Sequence, residues 1–523
     1  MKLEPEYDMI LAEMLEKDCD MFKGTDGALY MSLPTPRGAV TYPVRNAEGM
    51  ARVAATFTEK HGHPFTTTEQ QRATQIAWGR MVDNPARDVF TRVGKQGEDF
   101  YLDLHSSPKK YVKYNAQGWL VTDNVPVHFQ EGQGQLPMPE PLGGMNDFNQ
   151  GFDALRSLLT VNEMQWRCLL PIMVNYLLPH LQQPVLLLSG VAKSGKSTFI
   201  EIVKTMVDPN LAMLGGEVPD TRDLFIKVSA AWVATFDNLT KISEAGMNAI
   251  CQLATGGTFS TRRLYENTDQ VMITCRNPVI IAGISNVATR PDVADRAVPF
   301  ELTSVDNRPE PITQEEIRER LHKAAPSILN ALLYLTCDVL KQWADTKAPQ
   351  KVRPVSFGII GRAVEKSMGW KQGSFELAYH TIRKPLEASV LEEYAVITAL
   401  TDLLETKVAE GQFRAQPYAL LEMLKGGKDF DMLKAFPQKV STFSKQLKEC
   451  TPAIRSQYGW DVQDSRDWKG RWWNFTYLPT APTEPTAVPK KVTPPEVKEL
   501  LAANKQTVRH NPNPKVKAAK ESE

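Results

Sequence analysis

The residues with the clearest chemical role form a glycine-rich loop in the middle of the chain. Positions 190–197 read Gly-Val-Ala-Lys-Ser-Gly-Lys-Ser, which satisfies the pattern G-x-x-x-x-G-K-[ST]. Glycine lets backbone N–H groups approach a phosphate chain closely, and the helix that follows directs its positive end at the phosphates. In this pattern the lysine reaches the β- and γ-phosphates and the last hydroxyl ligates Mg²⁺, so ATP and Mg²⁺ are the predicted cofactors. The predicted nucleotide contacts are Gly190, Lys193, Ser194, Gly195, Lys196, Ser197 and Thr198.

A second metal ligand is expected at the end of another strand, because ATP hydrolysis needs Mg²⁺ held from two sides. An apolar run at 232–236 is followed by Asp237 and Asn238. Asp237 is the predicted Mg²⁺ ligand. Asn238 stands where many such ATPases have Glu, and an amide can orient water but cannot take its proton. Glu244 and Glu217 are alternative sources of a carboxylate base.

Further polar residues follow the next apolar run, at 278–286. Its last residue, Asn286, could contact the γ-phosphate or the attacking water, and the alternative is an ordinary turn asparagine. Arg290 and Arg296 come soon afterwards. An arginine can stabilise the transition state on a neighbouring subunit's ATP. Arg296 is the first candidate for that role and Arg290 the second, and the alternative for each is a surface salt bridge.

The elements that must position these residues alternate along the chain. Short apolar runs at 184–189, 231–236, 278–284 and 298–302 are typical of buried parallel strands. Helical patterns lie between them. The predicted fold class is therefore α/β, with a parallel sheet covered on both faces.

The flanking segments have different patterns, and they define the predicted domains. In the first section, strand-like runs at 28–31, 89–93, 100–104 and 119–121 accompany helical stretches at 48–61 and 68–81. Prolines and glycines at 137–144 mark its end. The predicted domains are an α+β domain (1–145), a P-loop ATPase core (146–310), a helical lid or linker (311–410), a winged-helix-like domain (411–478) and a disordered basic tail (479–523).

Composition excludes several classes of protein. Lys and Arg number 61 and Asp and Glu also number 61, so a nucleic-acid partner must be met by local basic patches. No apolar run is long enough to span a membrane, and the six cysteines are scattered without a CxxC pair. These features predict a cytoplasmic protein with reduced thiols and no zinc site.

The ordered series of motifs resembles the superfamily 3 helicases of the AAA+ class. The series comprises the loop, a strand ending Phe-Asp-Asn at 236–238, a hairpin-like segment, and a strand with a terminal Asn at 286. The stretches 253–265, 277–278 and 288–292 resemble the ATPase part of phage and mobile-element primase-helicases, the poxvirus-type group. The resemblance covers residues 150–375 most strongly.

This resemblance implies a homo-oligomeric ring, usually a hexamer, that threads single-stranded DNA through its centre. Arg296 would then act on the neighbouring subunit. The segment 258–274 would match the hairpin that projects into the pore, so Arg262, Arg263 and Tyr265 become candidate DNA contacts, two cations for phosphate and a ring for stacking. The alternative for this segment is an exposed turn. No primase centre is recognisable at 1–145, so we expect a separate primase or replication protein to supply any priming.

The last domain is predicted to bind nucleic acid as a winged helix. Segments 418–424 and 440–447 would be its helices, and the aromatic segment 459–475 its wing. The alternative is a small helical module with an aromatic core. The cations predicted to line its nucleic-acid face are Lys445, Lys448, Arg455, Lys469 and Arg471.

Three functions fit these patterns. The first is an ATP-dependent DNA helicase or translocase for the replication of a phage, satellite or plasmid. The second is an ATP-dependent origin-binding initiator or helicase loader that unwinds nothing itself, which the Asn238 substitution and the winged helix favour. The third is a nucleotide-gated assembly or defence ATPase for which DNA is incidental.

Overall fold

Helices and strands alternate through a computed structural model of the chain, which describes residues 7–132, 134–143, 147–211, 214–215, 224, 231–240, 242–262, 270–283, 290–303, 312–426, 428 and 434–478. Only the backbone is described at 147–148, 214–215, 258–262 and 270–275. The strands are β1 Met21–Lys23, β2 Leu29–Thr35, β3 Gly38–Pro43, β4 Val89–Phe90, β5 Val93–Gln96, β6 Asp99–Asp103, β7 Tyr111–Asn115, β8 Gly118–Thr122, β9 His128–Phe129, β10 Val185–Ser189, β11 Leu214–Gly215, β12 Ala234–Leu239, β13 Gly257–Arg262, β14 Gln270–Cys275, β15 Val279–Gly283, β16 Ala297–Glu301, β17 Gln412–Ala415, β18 Trp460–Asp467 and β19 Gly470–Tyr477. The helices are α1 Tyr7–Lys17, α2 Ala47–His61, α3 Thr67–Met81, α4 Asp147–Leu158, α5 Glu163–Tyr176, α6 Lys196–Val207, α7 Glu244–Thr255, α8 Pro291–Ala294, α9 Gln314–Gln342, α10 Val355–Ser367, α11 Ser374–Glu392, α12 Ala395–Thr406, α13 Pro417–Lys425 and α14 Val440–Tyr458.

A parallel sheet of five strands carries the glycine-rich loop at the end of its strand β10. The strand order is β11–β12–β15–β10–β16, and every neighbouring pair is parallel. Strand β10 lies between β15 and β16, with Val185 opposite Val279 on one side and Ala297 on the other. The four apolar runs predicted as buried parallel strands are β10, β12, β15 and β16, so that prediction is confirmed.

The two faces of this sheet bury separate cores. Alternate residues point to opposite faces, because the side-chain period of a strand is two. Leu186 and Leu188 pack with α5, α6 and α9 in the larger core, whereas Val185 and Leu187 pack with α7, α8 and part of α11. Helices therefore cover both faces, as the continuous apolar runs predict.

The N-terminal section contains a three-stranded sheet, β1–β2–β3, and a four-stranded antiparallel sheet, β5–β6–β7–β8. Helices α1, α2 and α3 share a core with the first sheet. The single strand expected at 89–93 is wrong. Strand β4 pairs with β9, whereas β5 joins the four-stranded sheet, and Arg92, whose side chain is buried, lies between the two strands.

The four-stranded sheet packs on the helices that cover the parallel sheet. Phe100, Leu102 and Tyr114 belong to the same core as α5 and α9, and the Tyr114 hydroxyl donates to the Leu177 carbonyl at 2.5 Å. The proline-rich segment after it is also anchored, since Leu142 N donates to the Pro326 carbonyl of α9. Contacts therefore cross the predicted boundary at 145.

The C-terminal section is helical up to α12 and then mixed. Strands β17–β19–β18 form an antiparallel sheet that packs on α12, α13 and α14 in a core of its own. Both predicted helices and the predicted hairpin are present. Residues 479–523, predicted as a disordered tail, lie outside the described residues. Among the described helices, none combines the length and apolar character that a membrane span requires.

Candidate nucleotide site

The loop after β10 has a backbone that only glycine adopts easily at two positions. Gly190 has φ of 150° and Gly195 has φ of 82°. A Cβ atom on Gly190 would also lie 2.5 Å from the Leu302 carbonyl oxygen, far inside contact distance. Lys193, another predicted contact, is likewise left-handed, with φ of 64°. The glycines of the sequence pattern are therefore needed for the shape of the loop.

Helix α6 begins at the end of this loop without a side-chain cap. Its N-cap residue is Gly195, which has no side chain to bond the free N–H groups of the first turn. Those N–H groups, from Lys196, Ser197 and Thr198, need an acceptor, and an anion is the favoured one at a helix N-terminus. The geometry therefore fits the predicted phosphate contacts of all three residues.

The ammonium group of Lys196 lies over the loop. It donates to the carbonyl oxygens of Gly190 at 2.8 Å and Val191 at 3.0 Å, and to the Ser194 hydroxyl at 3.2 Å. Phosphate oxygens are stronger acceptors for an ammonium than these neutral groups. The ammonium group of Lys196 thus lies where it could bond to a phosphate chain held in the loop.

The predicted Mg²⁺ ligands lie side by side. The Ser197 hydroxyl donates to Asp237 Oδ2 at 2.6 Å, across the 40 residues that separate them in the chain. The other carboxylate oxygen accepts the Asn238 N–H at 2.8 Å. Oxygen atoms are the ligands that Mg²⁺ prefers, and the ion commonly takes only one or two from protein. The pair fits Mg²⁺ bound together with a phosphate chain, and no group of three or more His, Cys, Asp and Glu side chains that could hold a metal occurs in the described part of the chain.

Asn238 is exposed at an irregular point of β12. Its φ is 60°, and the pairing of β12 with β15 shifts between Phe236 and Leu239. Such a bulge re-aims a side chain and often lies beside an active site. The predicted Asn286 and the alternative base Glu217 lie outside the described residues. Glu244 is the exposed first residue of α7.

The two candidate arginines have different surroundings. Arg290 is held within its own chain by Asp292, by Asn248 Oδ1 at 2.8 Å and by the Glu244 carbonyl at 3.4 Å. Although burial opposes it, the ion pair with Arg290 keeps the pKa of Asp292 below its ordinary value. Arg296 is half-buried and makes one side-chain hydrogen bond to the described residues, from Nη1 to the Asp292 carbonyl at 2.6 Å. Arg296 is therefore the freer of the two.

Arg296 lies at the opposite end of the sheet from the loop of its own chain. Val185 is opposite Ala297, so Arg296 is level with position 184, six residues before Gly190. At the rise of a β-strand this separation is about 20 Å. Arg296 is therefore too far away to contact a nucleotide bound in its own loop.

The predicted pore hairpin is present as an antiparallel pair, β13 and β14. Its register runs from Gly257 opposite Cys275 to Arg262 opposite Gln270. The hairpin leads directly into β15, so it lies at the same end of the sheet as Arg296. The side chain of Arg262, and the whole of Arg263 and Tyr265, lie outside the described residues, and their DNA contacts stay predictions.

The basic face predicted on the C-terminal module (412–477) is partly neutralised by its own acids. The ion pairs are Lys445–Glu449 (3.8 Å), Lys448–Asp464 (3.1 Å), Arg455–Asp461 (2.7 Å) and Arg471–Asp464 (2.7 Å). Three acids thus pair with four of the five predicted cations. Trp460 and Trp473 are core residues, whereas Trp468 at the tip of the hairpin is 89% exposed, with Lys469 Nζ 4.8 Å from the centre of its ring. The hairpin tip, which carries Lys469 of the predicted face, is therefore accessible to a partner.

Two side chains that connect the elements around the candidate site, Asp208 and Arg383, gave no signal in the sequence. Asp208, directly after α6, accepts the N–H groups of Trp232 and Val233 at 2.8 and 2.9 Å, just before β12. Its other oxygen pairs with the fully buried Arg92, at 3.0 Å from Nε. This carboxylate joins the helix of the loop, the strand of Asp237 and the N-terminal section. The other side chain is Arg383 of α11. The bonds that make these connections reach residues 24 to 116 positions away, so no local pattern marks them.

Comparisons with known proteins find similarity over part of the chain. No curated protein matches the chain. Among solved structures, the A form apo structure of the NrS-1 C-terminal region is similar, with a TM-score of 0.41 and 11% identity over 90% of this chain and 99% of that one. A second structure of that region has a TM-score of 0.39 at 11% identity and covers 90% of this chain and 100% of that one. The span 152–374, which contains the loop, Asp237 and Arg296, matches the family model of the actinomycete integrative conjugative element replication protein, and this chain is similar to that family there.

Proposed function

We propose that this chain is an ATP-driven DNA helicase or translocase of the AAA+ superfamily 3 type, working as a hexameric ring in the replication of a mobile element. The observation that carries the proposal is the 2.6 Å contact between Ser197 and Asp237, which brings a hydroxyl and a carboxylate together beside the loop. Similarity to a replication protein family at 152–374 supports the cellular role. The hairpin β13–β14, at the same end of the sheet as Arg296, supports a moving DNA contact.

Each residue has a defined task in this proposal. The loop and Lys196 bind the phosphates, and Ser197 with Asp237 holds the metal. Mg²⁺, when bound with ATP, neutralises charge that develops on the phosphates. Asn238 and Asn286 orient the attacking water.

The neighbouring subunit completes the site. Arg296, about 20 Å from its own loop by strand rise, stabilises charge at the nucleotide of the next subunit. The hairpin then carries Arg262, Arg263 and Tyr265 along one DNA strand.

The proposal is tested by ATP hydrolysis with and without single-stranded DNA. We expect DNA to raise the wild-type rate several-fold, and Lys196→Ala to abolish it. The matched control is Lys323→Ala, an exposed lysine on α9, which should keep the wild-type rate and its DNA response. A rate that ignores DNA, or tight ATP binding without turnover, would contradict a motor.

One observation favours a second candidate, an ATP-dependent initiator that binds an origin. The C-terminal module presents Trp468 on a hairpin beside α14, and Asp467 fixes that turn by accepting the Lys469 N–H and the Trp472 indole N–H, both at 2.9 Å. A rigid, exposed aromatic on a hairpin suits contact with duplex DNA. Strand-separation assays discriminate the two candidates, because an initiator would show ATP-controlled binding to one duplex site and no unwinding.

A further inference from the structure

A buried arginine contacts the turn that carries Arg296. Arg383 lies on α11, and its side chain is only 8% exposed. Its Nη1 atom donates to the carbonyl oxygens of Ala294 at 2.8 Å and Ala297 at 2.5 Å. These two carbonyls stand immediately before and after the turn at 295–296. One guanidinium group therefore fixes both ends of that turn.

The guanidinium group of Arg383 also has a charge partner and an aromatic ring beside it, at longer range. Its guanidinium lies 5.1 Å from the centre of the Tyr379 ring, and its Nε is 3.4 Å from Glu387 Oε1, a long hydrogen bond. The second carboxylate oxygen of Glu387 is buried and has no partner among the described atoms. Burying a charge is costly unless it is paired and well bonded; Glu387 supplies the opposite charge, and the shortest bonds are those to the turn. Holding the turn is thus the role that this geometry gives Arg383.

The turn is connected to both the loop strand and the C-terminal module. The Arg296 carbonyl accepts the Val185 N–H at 3.0 Å, at the start of β10. On the other side, α11 places Leu386 in the core that contains α8, and Leu391 in the core of the C-terminal module. The side chain of Gln457, on α14, donates to the Lys384 carbonyl next to Arg383 at 2.9 Å. Helix α11 therefore joins the turn to the module.

We propose that Arg383 is a positioning residue, which holds the turn at 295–296 so that Arg296 reaches the nucleotide of a neighbouring subunit. This inference rests on the proposed function. Arg383 touches no nucleotide itself. Its loss displaces the arginine that acts on the next subunit and leaves the ATP-binding loop of its own subunit intact.

The first test is steady-state kinetics of the full chain. Arg383→Met keeps the apolar stem but loses both carbonyl contacts, and we expect kcat to fall about 10²-fold, the cost of a misplaced catalytic group, with KM for ATP changed little. Arg383→Lys keeps a donor and should recover part of the loss. The matched control is Arg362→Met on α10, which loses an ion pair to Glu376 at 2.6 Å away from the turn and should keep the wild-type kcat.

The decisive test mixes two inactive proteins. Lys196→Ala subunits have a defective loop but a correctly placed Arg296. Arg383→Met subunits have an intact loop but a displaced Arg296. In a ring mixed at random, about a quarter of the interfaces pair an intact loop with an intact arginine, so activity should return well above that of either variant alone. Arg296→Ala mixed with Lys196→Ala is the reference and should recover to the same extent.

The outcomes separate the role of Arg383 from the proposed function. Recovery in both mixtures supports the positioning role. If the Arg296→Ala mixture recovers but the Arg383→Met mixture does not, or if Arg383→Met has a normal kcat, the role of Arg383 is overturned and the proposed function stands. If neither mixture recovers, the shared site itself fails. Should Arg383→Met not fold by circular dichroism, Arg383→Lys replaces it in the mixture, where recovery again supports the role and its absence overturns it.

Discussion

The two ends of the parallel sheet differ in how their polar groups are satisfied. At the carboxyl end, Lys196 bonds to its own loop, and Ser197 bonds to Asp237, so the parts of the candidate nucleotide site meet within one chain. At the amino end, Arg296 has one side-chain bond to the described residues and lies far from its own loop. The carboxyl end is thus assembled by one chain alone. The amino end holds the arginine that we propose acts on a neighbouring subunit.

The largest effect that would sharpen this contrast is the loss of Arg296. We expect Arg296→Ala to lower kcat about 10³-fold or more, the range found when an arginine that stabilises transferring phosphate is removed, while ATP binding stays near wild type. Arg290→Ala is the natural comparison, since Arg290 is tied to Asp292 and Asn248 of its own chain. Arg290→Ala should lower the melting temperature, and it should reduce kcat far less than Arg296→Ala does. Steady-state kinetics and thermal melts on both variants measure the difference.

A reversed result would break the contrast. Suppose that Arg290→Ala abolished hydrolysis and Arg296→Ala did not. The arginine that acts on the neighbouring subunit would then be Arg290, at the start of α8, and its bonds to Asp292 would have to break first.

At the carboxyl end the next expected effect, after the loss of Lys196, is that of Asp237. Asp237→Asn removes a charged metal ligand and keeps the shape of the side chain, so hydrolysis should fall on the order of 10²-fold and require more Mg²⁺. A Mg²⁺ titration of the rate, with ATP binding measured separately, checks this. Unlike Arg296→Ala, this variant should not complement Lys196→Ala in mixed rings, because both defects lie in the same site. Complementation would show that Asp237 acts elsewhere.

The same contrast explains how much of the site the sequence could predict. The loop, Ser197 and Asp237 were predicted because phosphate binding imposes a short pattern on one loop and one strand end. The basic face of the C-terminal module was predicted from cations alone and lost much of its charge to Asp464 and its neighbours. Arg383 was missed, because a buried arginine that bonds carbonyls 86 and 89 residues away leaves no local trace.

The amino end should also depend on a buried ion pair for its stability. Arg92→Met leaves Asp208 buried with its charge unpaired, which typically costs about 3–5 kcal/mol. The matched control is Arg318→Met. The partner of Arg318, Glu201, lies on α6, but the Arg318 side chain is 55% exposed. Such an exposed ion pair contributes about 1 kcal/mol or less. Urea unfolding of both variants gives the two free energies. Equal losses would mean that the amino end does not rely on Asp208.

For the fold, the predictions succeeded where the apolar pattern is continuous and erred where a single polar residue redirects the chain. The strands of the parallel sheet were found because their runs are short and fully apolar. The run at 89–93 has the pattern of one strand, but Arg92 within it is buried and donates a hydrogen bond to Asp208, 116 residues later. Propensity describes the run, and only the tertiary contact explains its break.

The smallest expected effect concerns His180, on the loop that enters β10 at the amino end. Burial, helped by the nearby charges of Lys95 and Arg276, lowers the pKa of His180 to about 4, and the Phe100 ring lies 5.3 Å from its own. The unfolded chain has a histidine pKa near 6.5, so between about pH 6.5 and pH 4 it binds more protons than the folded protein. Stability should therefore fall as the pH is lowered through that window.

His180→Gln removes the titrating group. The drop in melting temperature between pH 7 and pH 5 should therefore be about 2 °C smaller in this variant than in the wild type. The control is His322→Gln, at an exposed position of α9, which should keep the wild-type profile. Because His180 lies far from the loop, ATP binding by the folded protein should follow the same pH curve in both variants. If His180→Gln instead shifted the pH curve of ATP binding, the two ends of the sheet would be coupled through β10, and the contrast between a self-contained end and an outward-facing end would not hold.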